Sequence, residues 1–154
     1  MRPMEARAPI EIRPIDPDDL DALVEIEAAY LARHEARASI DAASVRHYAR
    51  SGHAFTARSA GLVVGAVLAQ AVWDGTRPVV RAARVMAQGD DAEVLQRLLE
   101  ALVKSAYDAA VYDLSVDLPS SDAAASAALT ATSFAERPVR RFERVLGSRA
   151  ALGT

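Results

Sequence analysis

Three acidic side chains crowd one short stretch of this chain, Gln88-Gly89-Asp90-Asp91-Ala92-Glu93. Carboxylates so spaced suit a helix start, where free N–H groups and the backbone dipole favour negative charge. They oppose any anionic ligand brought to the same amides. Asp113 and Asp117 alternate with apolar residues, an arrangement that could present a general base from a strand, although solvated strand aspartates carry the same pattern. Arg81 and Arg84 could hold an acidic or phosphorylated ligand, or pair with Asp74 and Asp113 at the surface. Gln70 and Trp73, near Asp74-Gly75, could line a cleft, with Trp73 packed on an edge strand as the plainer alternative. His34, His47 and His53 are too scattered to suggest a metal site, and surface or capping roles are expected for each. The chain has no cysteine, which excludes disulfides, thiolate metal sites and a cysteine nucleophile.

Composition narrows the classes of partner. Hydrophobic residues make up 51% of the 154 and charged residues 25%, enough for a packed core and against disorder. The length suits one domain, 1–154, with loose tails at 1–9 and 147–154. A net charge of -3 with mixed signs is a poor match to a phosphate backbone, so nucleic acid is not expected. Arg137, Arg140, Arg141 and Arg144, interleaved with Val139, Phe142 and Val145, read as a solvated strand face. The longest apolar run, Leu62–Trp73, is too short to span a bilayer, and residues 1–9 lack the apolar stretch of a signal peptide. A cytoplasmic location without membrane contact is the expectation.

The elements that would position these residues follow from caps and periods. Ile10, Ile12 and Ile15 mark a first strand, ended by Asp16 as N-cap and Pro17 at the first helical position. Ile15 can staple to Leu20. A second helix repeats the device with Asp41, Ile40 and Val45, and closes at Gly52. The period then becomes two: residues 53–58 form a strand, and 62–73 a long Val-rich one. Asp74-Gly75 predicts a tight type I′ turn into a third arm, 78–87. Asp90 is the expected cap of the next helix, with Glu93 completing a capping box, and Leu95, Leu98, Leu99, Leu102, Val103 and Ala106 give it an unbroken apolar face. Residues 111–118 alternate, with Tyr112, Leu114, Val116 and Leu118 on one side. An alanine-rich helix over 122–132 and a last strand over 139–146 complete the order.

That order, β-α-α-β-β-β-α-β-α-β, resembles the GNAT superfamily of acyl-coenzyme A N-acyltransferases from Ile10 to Leu146. Leu62-Val63-Val64-Gly65-Ala66 looks like the family's third strand, and Ser133-Phe134 stands where it often has Gly-Phe. Leu68-Ala69-Gln70-Ala71-Val72-Trp73, Val103-Lys104-Ser105-Ala106-Tyr107-Asp108 and Val145-Leu146-Gly147-Ser148-Arg149 look like a small set of bacterial proteins assigned a GNAT-like fold and no activity. The resemblance implies a mixed, mostly antiparallel α/β (α+β) sheet of six to seven strands with helices on both faces.

It also implies a chemistry. Acetyl-coenzyme A or another acyl-coenzyme A would be the donor and a small-molecule or peptide amine the acceptor. The coenzyme would lie against Arg84, Val85 and Met86, whose backbone supplies the polarising N–H, and against Gln88 and Gly89, with its pyrophosphate on the amides of the following helix. The family's signature there is Gln or Arg, two residues, Gly, one residue, then Gly or Ala. Counted from Gln88, this chain has Asp91 at the first glycine position and Glu93 at the last. Two unit charges about 4 Å apart interact by roughly 4 kcal/mol at an effective dielectric near 20, so carboxylates there repel a diphosphate substantially. The family's tyrosine, which protonates the departing thiolate, aligns with Leu129, leaving Tyr107, Tyr112 or solvent as the acid. Two readings follow: an acyltransferase-like protein with a degenerate cofactor loop, or a non-catalytic ligand-sensing or protein-interaction module on the same fold. A homodimer formed through the hairpin or last strand is compatible with either.

Overall fold

The computed structural model describes residues 7–147. Strand β1 (Ile10–Pro14) leads through a 3₁₀ turn into helix α1 (Leu20–Arg33), then come α2 (Ala42–Ala49), β2 (Phe55–Ser59), β3 (Leu62–Trp73), β4 (Pro78–Ala87), α3 (Ala92–Asp108), β5 (Leu114–Val116) and α4 (Ala123–Ala131). The five strands form one sheet in the order β1-β2-β3-β4-β5. Every pairing is antiparallel except that of β4 with β5. Among the described residues, no helix is long and apolar enough to cross a membrane.

Two cores sandwich the sheet. On one face Leu95, Leu98, Leu99, Leu102 and Ala106 of α3 pack on Val67, Ala69, Val80, Ala82 and Val85, with Ala125 and Ala128 of α4 alongside. On the other, Leu23, Ile26 and Tyr30 of α1 and Val45 of α2 pack on Ala66, Leu68 and Met86. The expected caps and staples direct these packings. Asp16 and Asp41 accept from Asp18 and Ser44 amides at 2.8 and 2.7 Å, while Ile15 is buried in the α1 core with Leu20 against it.

One irregularity sets which core receives which side chain. In the β3–β4 ladder Leu68 faces Arg84 and Ala69 faces Ala82, so Ala83 is an extra residue. Such a bulge inverts the alternation of a strand. Val80 and Ala82 before it lie in the α3 core, whereas Arg84 after it turns toward Tyr30 and Glu27 of α1.

Four expectations are corrected. The sheet has five strands among the described residues, where six to seven were expected, because 139–146 form none. Their apolar side chains do not share a period-two face, and Val139, Phe142 and Leu146 stand exposed. The hairpin loop is the four residues Asp74–Arg77, closed by Asp74 N–H to the Arg77 carbonyl at 3.1 Å. The Asp74 carboxylate accepts from the amides of Thr76 and Arg77, building an Asx turn that displaces the two-residue alternative. Strand β5 is three residues long, because Ala110 (φ 58°) and Val111 are drawn into closing α3. Tyr112 therefore lies before the strand and is 72% exposed, not on the apolar face. The tails expected at 1–9 and 147–154 fall mostly outside the described residues.

Gly65 fixes the approach of α3. A Cβ there would meet Val94 Cγ1 at 2.7 Å and the Met86 carbonyl at 2.8 Å, so the first turn of the helix lies directly on β3. Gly65→Ala should cost about 1–3 kcal/mol through overpacking, read as a lower urea midpoint at unchanged slope.

Candidate functional site

Parallel pairing of β4 with β5 covers only Val80 to Ala82 opposite Leu114 to Val116, with two further bonds at its ends, from Val80 N–H to the Asp113 carbonyl at 2.9 Å and from Asp117 N–H to the Ala82 carbonyl at 3.1 Å. Beyond it β4 runs on to Ala87, paired with β3 alone, while the other chain segment turns away at Pro119 toward α4. The two strands thus part, leaving a gap in the ladder, the notch, along residues 83–87 of β4.

Arg84, Val85 and Met86 line that stretch, with Gln88 and Gly89 at its end. Val85 and Met86 bury their side chains in opposite cores, so they offer only backbone to the notch. The Arg84 side chain leaves it altogether. Its guanidinium lies 5.0 Å from the Tyr30 ring centroid and donates to the Arg37 carbonyl at 2.6 Å. Glu27, 3.9 Å from Arg84 Nε, accepts from the Ser39 and Ile40 amides. The buried pair braces the connection between α1 and α2. Arg84 is 7% exposed, which corrects the expectation of a surface pair with Asp74 or Asp113. Asp113 is instead 3.0 Å from Arg77, and Asp117 pairs with Arg141.

At the end of β4, Gly89 and Asp90 both take left-handed φ values, 61° and 52°, and redirect the chain into α3. The cap of α3 is Asp91, not Asp90: its Oδ1 accepts from the amides of Glu93 at 3.0 Å and Val94 at 3.2 Å. Two residues in the left-handed region place Asp90 too early to cap. Arg7 then pairs with both Asp91 and Glu93, so one cation offsets part of the charge of the acidic turn.

Asp90 goes to a different task. Its carboxylate pairs with Arg33, at 3.2 Å, and lies 3.3 Å from His34 Nε2. Arg33 also donates to the Ala87 carbonyl at 3.3 Å, serving a backbone acceptor at the notch end. The other ring nitrogen of His34 is 3.0 Å from Ser121 Oγ. Beside it, the Tyr30 hydroxyl donates to Asp122 Oδ2 at 2.7 Å, and Asp122 Oδ1 caps α4 through the Ala125 amide. Side chains from α1, the β4–α3 turn and the start of α4 therefore meet across the mouth of the notch. Burial, then the bond to Asp122, pushes the Tyr30 hydroxyl well above the ordinary tyrosine range, which makes it a poor proton donor.

The remaining candidates lie elsewhere. Tyr107 and Tyr112 stand edge to face at 6.1 Å. Tyr107 ends α3, whose 17 residues span about 25 Å from the notch end, so neither phenol reaches the opening. Leu129 packs partly buried on the α3-side core. His47 on α2 meets Gln70 at 2.6 Å in an open depression of about 370 Å³ with Arg46 and Arg50. Trp73 is 69% exposed. His53 and His34 are buried rather than at the surface, His34 standing at the C-cap of α1 as the capping alternative had it, and burial pushes the His53 ring below its ordinary value.

A family described as "Protein of unknown function (DUF1999)" matches residues 10–151. The chain belongs to the DUF1999 family. No curated protein matches it. Wild-type TTHA1254 from Thermus thermophilus is 36% identical over 90% of this chain and 99% of that one, with a TM-score of 0.75. Ribosomal-protein-alanine N-acetyltransferase from Brucella melitensis biovar Abortus 2308 is 16% identical, covering 88% and 99%, at 0.69. Aminoglycoside N-acetyltransferase AAC(6')-Iy in complex with CoA is 17% identical, covering 92% and 98%, at 0.71. These likenesses show that the DUF1999 chain has the GNAT-like fold.

The bond from Tyr30 to Asp122 should be worth about 1.5–3 kcal/mol, being made to a charged acceptor, and Tyr30→Phe should lose it. Native Tyr30 keeps a proton that the unfolded chain releases near the ordinary value of 10.0, so stability falls as pH rises past that value. Urea unfolding across the alkaline range should show a shallower decline for Tyr30→Phe than for wild type.

Proposed function

We propose that this DUF1999 protein uses the acyltransferase fold as a ligand-sensing or protein-interaction module and does not transfer acyl groups from coenzyme A. The observation that carries the reading is the Asp91 carboxylate on the Glu93 and Val94 amides. A pyrophosphate held at a helix start needs those N–H groups free, and here a residue of the chain uses them. Arg7 reinforces the arrangement, since it pairs with Asp91 and Glu93 rather than leaving cationic charge for a ligand. The network of Tyr30, His34, Asp90 and Asp122 supports the same conclusion by crossing the mouth of the opening.

A second reading, residual N-acyl transfer from acetyl-coenzyme A to a small-molecule or peptide amine, is favoured by the divergence of β4 from β5, which leaves one edge of residues 83–87 without a strand partner. In it Arg84, Val85 and Met86 offer backbone to the thioester, and Gln88 and Gly89 border the diphosphate.

Thermal melts with acetyl-coenzyme A separate the two. Saturation at about a hundredfold over the dissociation constant stabilises a protein by about 2.7 kcal/mol. The wild type is expected to show no shift at millimolar cofactor, and a clear shift would overturn the proposal. Asp91→Gly with Glu93→Ala should gain a shift, because the double change frees the amides while the Gly cap itself costs only a few tenths of a kcal/mol, by rough estimate.

A further inference from the structure

We propose that His34, Asp90 and Asp122 form a divalent-cation site of zinc type at the mouth of the notch. One donor atom from each lies within 4.8 Å of the others. His34 Nε2 and the nearer Asp90 oxygen are 3.3 Å apart, which matches the roughly 3.4 Å edge of a tetrahedron whose metal–ligand bonds are about 2.0–2.2 Å. An oxygen of Asp122 lies within 4.8 Å of both. One imidazole with two carboxylates is a borderline donor set that favours zinc over the harder magnesium and calcium.

The surroundings have the form of a metal's outer shell. A ligating histidine is ordinarily oriented by a partner on its other ring nitrogen, and ligating carboxylates are themselves hydrogen-bonded. His34 Nδ1 is held by Ser121 Oγ at 3.0 Å, leaving Nε2 toward the carboxylates. Asp122 is held by the Tyr30 hydroxyl and the Ala125 amide. Three protein ligands leave a fourth position for water, and the quarter-exposed Asp90 side chain provides the way in.

Charge gives the second, independent reason. Asp122 is 3% exposed, and among the described residues no Lys or Arg pairs with it. Arg33 pairs with both oxygens of Asp90, and its charge is spent there. A buried carboxylate facing another acid is costly without a cation between them, and the position between His34, Asp90 and Asp122 is where that cation belongs. Arg33 is then a competitor for Asp90.

Titration of the untagged, chelator-treated chain with zinc chloride, followed by calorimetry and thermal melting, tests the site. One equivalent should bind and raise the melting temperature, with magnesium chloride producing neither effect. His34→Gln and Asp90→Asn should each weaken zinc at least tenfold. Arg33→Gln, a change at a partly exposed position, should tighten it severalfold, a result that a purely structural network does not produce. Far-UV circular dichroism establishes that each variant is folded, and if His34→Gln is not, Asp90→Asn and Arg33→Gln decide. Failure of zinc to bind, binding indifferent to the His34 and Asp90 changes, or no tightening in Arg33→Gln overturns the assignment. Because the acetyl-coenzyme A melts use no metal, the two proposals fail separately.

Discussion

Everything near the candidate site depends on the shortness of one ladder. A parallel pair that stops after three residues leaves the rest of β4 with one edge unpaired, and backbone groups at that edge need partners from somewhere. In a coenzyme-dependent enzyme a bound thioester carrier can supply them. Here Arg33 reaches in to the Ala87 carbonyl, and the α1, β4–α3 and α4 segments converge beyond it. The opening is inherited from the topology, while its filling is particular to this chain's residues.

The acidic turn shows how a local choice redirects a fold-level feature. A helix start is an anion site by default, and a side chain that enters it converts a binding surface into a structural joint. Asp91 does this with a short reach, while its neighbour Asp90, displaced by two left-handed residues, is released to face α1. Adjacent residues of one type thus serve separate parts of the molecule, and the difference lies in backbone dihedral angles.

Much of the fold could be read before any coordinates. The caps at Asp16 and Asp41, the apolar face of α3 and the long β3–β4 hairpin follow from local spacing, which is where periodicity and capping are informative. The departure at Asp91 and Glu93 was also visible, because it needed only a count from Gln88. What escaped was everything joined across long separations. Tyr30 and Asp122 are 92 residues apart, and His34 and Asp90 are 56 apart. Nothing local to α1 announces that Tyr30 and His34, one turn apart, share a face with an acid from α4. The final strand failed for the opposite reason: apolar residues were present in 139–146, but Phe142 and Leu146 fall on one face of a strand and Val139 and Val145 on the other, so neither face is wholly apolar. Tyr112 was misplaced because closing α3 consumed the residues that would have extended β5.

The bulge at Ala83 makes the parity of β4 a determinant in its own right. Remove that single residue, keep the ladder, and the remainder of the strand exchanges layers: the guanidinium of Arg84 would point into a wall of leucines, and Met86 would follow it. An odd residue in the middle of a strand is therefore what lets one β-segment serve an oily layer along its first half and lodge a cation in the opposite layer along its second.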